Sequence, residues 1–94
     1  MKARKLFDVE FYLNTYSDVA SSGVDPYTHY SLFGWREDRD PSPFFSTRFY
    51  KTVNADIKTA EINPLVHYVD FGVQELRDPS PFFDTSIYLS DNPD

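Results

Sequence analysis

Apolar residues recur along this chain at helical spacing, in short stretches closed off by capping residues, prolines and glycines. Asp8, Ser46 and Asp84 read as N-caps, able to accept from the free amides of a first turn. Each follows a Phe and stands four residues before a Tyr. Phe7 with Tyr12, Phe45 with Tyr50 and Phe83 with Tyr88 therefore read as hydrophobic staples. The first helix is expected over about Val9 to Thr15, with Phe11 and Tyr12 on its apolar side. A short helical piece follows near Asp18-Val19 and again near Asp56-Ile57, capped by those aspartates and, in a third place, by Asp94.

Asp25-Pro26 and Asn63-Pro64 start a further helix, since a cap followed by proline at the first helical position is a strong start signal. Tyr27, Tyr30 and Phe33 share one face of it, as do Leu65, Tyr68 and Phe71. Gly34 and Gly72 are expected to end it as left-handed C-terminal caps, with Trp35 and Val73 supplying the apolar contact beyond. Asp40-Pro-Ser-Pro and Asp78-Pro-Ser-Pro then break the helix, and two prolines so close exclude a central strand. No stretch alternates with period two, so an all-α fold is expected.

The pattern repeats. A shift of 38 residues aligns the chain with itself without a gap, and residues 7–44 share 16 identities with residues 45–82. The longest run is Arg39-Asp-Pro-Ser-Pro-Phe-Phe45 against Arg77-Asp-Pro-Ser-Pro-Phe-Phe83. The expected organisation is one domain over 1–94: a tandem helical repeat with copies 7–44 and 45–82 and a partial third, 83–94. That stub is either the start of a longer array or a cap over an apolar end.

Composition narrows the picture. The chain has 94 residues and no cysteine, so packing alone must hold one modest core. Nine Phe, seven Tyr and one Trp let a short chain bury much apolar area. The net charge is −6 and the only basic cluster is Lys2, Arg4 and Lys5, so no face suits nucleic acid. No run is long and apolar enough to span a membrane, and Met1–Leu6 lacks the apolar stretch of a secretion signal.

His29 and His67 are the two histidines and occupy equivalent positions. They offer a metal ligand or a general base on one reading, and a packed ring beside Tyr30 or Tyr68 on the other. The second is favoured, because no further nitrogen ligand stands nearby and a site repeated in each unit is unlike a catalytic constellation. Glu37, Arg39 and Asp40 recur as Glu75, Arg77 and Asp78. A calcium loop would need alternating ligands around a glycine. An ion-pair cluster fits better, with Asp40 capping the next turn and Arg39 and Arg77 bonding carbonyls or carboxylates across the repeat joint. No nucleophile triad or phosphate loop is present, and a catalytic pocket is hard to excavate from so small a core. No enzyme, cofactor or metal is expected. Trp35, Tyr16 and Tyr27 become Val73, Asn54 and Leu65 in the second copy. They are therefore the candidate sugar-stacking platform, against ordinary partly buried packing.

These residues resemble a bacterial helical repeat of the form Phe-Asp-x-x-Tyr-Tyr-Leu, Asn-Pro-Asp-Val-Ala, Gly-x-Asn/Asp-Pro-Leu-x-His-Tyr and Gly-Trp-x-Glu-Gly-Arg-Asp-Pro-Ser. Here they stand as Phe7-Asp8, Phe11-Tyr12-Leu13, Asp18-Val19-Ala20, Gly23-Val-Asp-Pro26, His29-Tyr30 and Gly34-Trp35 through Pro41, with Tyr88-Leu89 and Asn92-Pro93-Asp94 in the stub. The second copy departs at Lys51, Glu61 and Leu76. Repeats of this kind occur beside glycosyltransferases and in large secreted or surface proteins. The resemblance implies a non-catalytic module in systems handling surface polysaccharide and carries no established ligand; from it and the aromatic surplus, a module binding surface polysaccharide, at the cell surface or outside the cell, is expected. The alternative is a protein-interaction or spacer module docking on a partner subunit.

Overall fold

A computed structural model describes residues 2–83 and residue 85. Among them the chain is helical and contains no strand; Ser42 with Phe45 and Ser80 with Phe83 form isolated bridges inside the proline turns. The elements are α1 (Lys2–Leu6), α2 (Val9–Thr15), α3 (Ser17–Ser22), α4 (Pro26–Leu32), a 3-10 turn (Gly34–Glu37), α5 (Thr47–Val53), α6 (Ala55–Ala60), α7 (Pro64–His67) and a π segment (Tyr68–Gly72). The expected staple at Phe83 and Tyr88, the cap at Asp84, and Asn92, Pro93 and Asp94 lie outside the described residues.

None of these helices is long enough to persist alone in water, so caps start them and packing holds them. The Asp8 and Ser46 side chains accept from the Phe11 and Phe49 amides (2.9 and 3.1 Å). Asp25 and Asn63 do the same for α4 and α7, each followed by its proline. The stapled rings meet as expected: Phe7 lies 5.0 Å from Tyr12, and Phe45 lies 5.3 Å from Tyr50, centroid to centroid. Tyr12, Tyr30 and Tyr50 are fully buried, with Val19, Ile57, Leu65 and Tyr68 around them.

The two stretches are joined by a chain of hydroxyls. Thr47 Oγ1 donates to the Arg39 carbonyl at 2.6 Å, so it receives the proton of the Tyr30 hydroxyl at 2.9 Å. Asp40 accepts from the Thr47 amide, capping the next turn as expected. Tyr68, Thr85, Arg77 and Asp78 make the same contacts 38 residues on. The equivalent position at the start of the chain is Val9, and it is half exposed.

Several local expectations are corrected. Gly34 and Gly72 are not left-handed caps. Among the described residues the positive-φ positions are Gly23, Asp38, Glu61 and Leu76, again in pairs 38 apart. Glu61 and Leu76 accept this backbone without being glycine, at about 1–2 kcal/mol each. Trp35 is buried, and its indole N–H donates to the Ser31 carbonyl left open where α4 stops. Val73 has no such donor; there the backbone closes on itself instead, with the Val73 amide bonded to the Tyr68 carbonyl five residues back. Phe33 and Phe71 do not join Tyr30 and Tyr68 in the core: they are more than half exposed, resting on the His29 and His67 rings.

Candidate functional site

The most constrained cluster in each stretch is built from Tyr, His and Gly. The Tyr12 hydroxyl sits 2.8 Å from His29 Nδ1, and that of Tyr50 sits 2.8 Å from His67 Nδ1. The histidines therefore hold the tyrosine of the first helix, not the Tyr30 or Tyr68 beside them in sequence. Gly34 and Gly72 pass directly over these hydroxyls. A Cβ on either would fall inside contact distance of the phenol oxygen and 3.2 Å from the ring of Tyr30 or Tyr68. These glycines are needed for close approach, not for backbone freedom. Burial pushes the Tyr12, Tyr30 and Tyr50 phenols far above their ordinary pKa, so they stay protonated.

His67 is buried, and that burial, reinforced by the nearby Arg77 charge, pushes its pKa below the ordinary 6.5 against the opposing pull of Glu75, Asp56 and Asp70. The neutral ring shares one hydrogen bond with the Tyr50 hydroxyl at Nδ1. Because the folded pKa is depressed, the unfolded chain takes up the proton first as pH falls. Stability from this group is thus complete above about pH 6.5 and is lost as pH drops through the folded value. The melting temperature should fall between pH 7.5 and 5.5, and His67→Gln should flatten that slope. An unchanged slope in the variant assigns it to another group. Asp18 and Asp56, whose pKa values are lowered, titrate further down the scale.

Arg39 and Arg77 are also paired, but their guanidinium groups bond within their own stretch and not across the joint. Arg39 holds Asp18 with two parallel bonds (2.8 and 2.7 Å) and Glu37 at 2.9 Å; Arg77 holds Asp56 at 3.1 Å twice, Asn54 at 3.0 Å and Glu75 at 2.8 Å. Asp18 and Asp56 are thus arginine partners in the first turns of α3 and α6, not their caps. The guanidinium bonds pull the Asp18 carboxyl down to about 2 and Asp56 in the same direction. Two of the positions that set the second stretch apart from the first reach across the joint. Lys51 pairs with Asp38, and Glu61 meets Arg36 at 3.3 Å. The exposed Arg36–Glu61 pair contributes at most about 1 kcal/mol.

The three rings expected to form a sugar platform are each covered. Arg36 lies over Trp35 at 4.4 Å, Arg39 over Tyr16 at 4.9 Å and Arg4 over Tyr27 at 4.8 Å. Trp35 is only 7% exposed, Tyr16 receives the Asp40 amide on its hydroxyl at 2.7 Å, and Tyr27 lies edge-on to Phe7.

An apolar cleft was not expected, yet one of ≈ 570 Å³ opens beside α1. Leu6, Phe7, Val9, Phe44, Phe45 and Leu65 are among its walls. The signal for it lay in the small residues Leu65 and Val73, read only as losses of Tyr27 and Trp35. Among the described residues no group of three or more His, Cys, Asp or Glu is placed to hold a metal, and no helix is long and apolar enough to cross a membrane. No family model matches the chain, and no curated protein or solved structure matches it either.

Proposed function

We propose that residues 7–44 and 45–82 are two copies of one helical unit, and that the chain is a non-catalytic module docking on another protein. The observation that carries this reading is the recurrence of exposed phenylalanines. Phe33 and Phe71 are 55% and 58% exposed, and Phe44 and Phe82 are 67% and 93% exposed, each pair 38 residues apart. Large apolar rings held in water at matching sites of successive units are a contact surface in want of a partner. The buried Tyr12 and Tyr50 and the partly exposed Arg39 and Arg77 are engaged with His29, His67, Asp18 and Asp56, which leaves them scaffolding work. Placement at a bacterial cell surface belongs to the same proposal and rests on the resemblance alone.

The competing reading, polysaccharide binding through Trp35, Tyr16 and Tyr27, has rings of the right chemistry but with arginines stacked on them. Cross-linking of the wild-type chain and of Phe33→Ser/Phe71→Ser in extract of the source cells separates the two. A defined adduct that the variant loses supports protein docking. Identical adducts from both chains, or saturable binding of extracellular polysaccharide that Tyr16→Ala abolishes, would overturn it.

A further inference from the structure

The ≈ 570 Å³ cleft beside α1 is walled by both units. Phe7 and Val9 come from the first, Leu65 and Tyr68 from the second, and Phe44 and Phe45 from the joint between them. Several walls are themselves wet: Leu6, Val9 and Phe44 are 48%, 49% and 67% exposed. The two charged walls have opposite sign. Lys5 brings an ammonium, and Asp8 brings a carboxylate that also caps α2. Their charges balance, so the lining selects neither an anion nor a cation, and either would have to shed its water on entering. The cleft suits an uncharged apolar group.

The chain carries such a group at the cleft's own edge. Phe82 lies in sequence between Pro79 and Phe83, both of them walls, and is 93% exposed. Consecutive Cα atoms are only about 3.8 Å apart, so this ring stands in water beside the opening. Phe44, its counterpart 38 residues earlier, is itself a wall, so a phenylalanine at this position of a unit already borders the cleft. A projection beside a recess on one surface becomes self-complementary about a two-fold axis, where each chain's projection meets the other's recess.

We propose that two copies of this chain associate about a two-fold axis, with Phe82 of each seated in the cleft of the other. A buried aromatic covers roughly 150–250 Å², so at their exposures Phe44 and Phe82 together hold about 300 Å² in water. Two chains bring about 600 Å² from these rings, about half of the roughly 1,200 Å² at which specific, stable interfaces begin. Leu6 and Val9 add to it from the walls. The dimer deepens the docking reading, on which it rests, by giving one exposed face an occupant. Phe33 and Phe71, outside the cleft, take no part in it.

The test is sedimentation velocity of the purified full chain at neutral pH, from about 1 μM to about 500 μM. A monomer–dimer equilibrium is expected, with a dissociation constant of about 10–100 μM for an interface at the small end of the range. Phe82→Ser, at a residue almost wholly in water, leaves the fold intact and should weaken the dimer at least about tenfold. Val9→Arg, at a half-exposed wall, should do the same by placing a charge in the cleft. Mixing the two variants restores one of the two contacts, Phe82 of one chain in the unaltered cleft of the other. The mixture should therefore associate more strongly than either variant alone and less than wild type. A chain still monomeric at about 500 μM, a dimer undiminished by Phe82→Ser, or a mixture no more associated than its parts overturns the dimer. Open-ended polymers overturn the two-fold arrangement. The purified sample holds no other protein, so a monomeric chain that keeps, in extract, the adducts dependent on Phe33 and Phe71 sinks the dimer and leaves the docking reading standing.

Discussion

Gly34→Ala should lower the unfolding free energy by about 2–3 kcal/mol, and Gly72→Ala by a similar amount. The added methyl meets the Tyr12 or Tyr50 hydroxyl and the ring of Tyr30 or Tyr68, all on buried, interlocked rings that have nowhere to go. Relief requires the phenol to retreat, which stretches its bond to His29 or His67 and leaves a buried nitrogen unpaired. Urea denaturation at pH 7 reads the loss. The mechanism has its own signature. Tyr12→Phe removes the atom that clashes, so Gly34→Ala should cost about 1 kcal/mol less in that background, a coupling a double-mutant cycle resolves. Strict additivity would show that the glycine is needed for some reason other than the hydroxyl. Gly23→Ala is the contrast. Nothing lies within 4 Å of its missing Cβ and its φ is +76°, so its cost is backbone strain of about 1–2 kcal/mol, indifferent to Tyr12.

Tyr50→Ala should cost more, about 3–5 kcal/mol, the range for emptying a buried aromatic site. Tyr50 is fully buried, tilted against Phe45 and edge-on to Tyr68, and held at His67 Nδ1. A chain of this length has roughly 5–14 kcal/mol of total stability, so the variant forfeits a large share of it. Tyr50→Phe isolates the polar part: packing survives, His67 loses its hydrogen-bond partner, and about 1–2 kcal/mol goes. The two variants measured together apportion ring and hydroxyl. A Tyr50→Ala protein within 1 kcal/mol of wild type would mean that this ring is not a keystone of the core; the inequality itself follows from the cavity term.

Both predictions use residues that the 38-residue alignment singles out, and the contrast between them marks what a sequence can disclose. The starts of helices were legible because an N-cap acts on amides two or three residues away. Asp8, Ser46, Asp25 and Asn63 needed no tertiary information to be recognised. The staples were legible for the same reason, as was the cap that Asp40 places on the turn at Thr47. The glycines were not. A glycine before an apolar residue at a helix end has a local explanation, a left-handed cap, and a distant one, the passage of another side chain. Only the fold shows that Tyr12 arrives from 22 residues earlier to occupy the space over Gly34.

The same division runs through the charged and aromatic residues. Which aspartate Arg39 would choose depends on how α3 lies against the 3-10 turn, and Asp18 looks like a cap until that packing is known. Trp35, Tyr16 and Tyr27 were candidates for a platform because they differ from the residues 38 places on, and only the fold shows an arginine over each ring. By itself the sequence determined the helical class, the starts of α2, α4, α5 and α7 and the stapled pairs, because these rest on hydrogen bonds and contacts closed within a turn or two. Tertiary structure decided which hydroxyl meets which imidazole, which rings stay exposed and where a cleft opens. Those outcomes depend on volumes and directions brought together from distant parts of the chain, which no local pattern encodes.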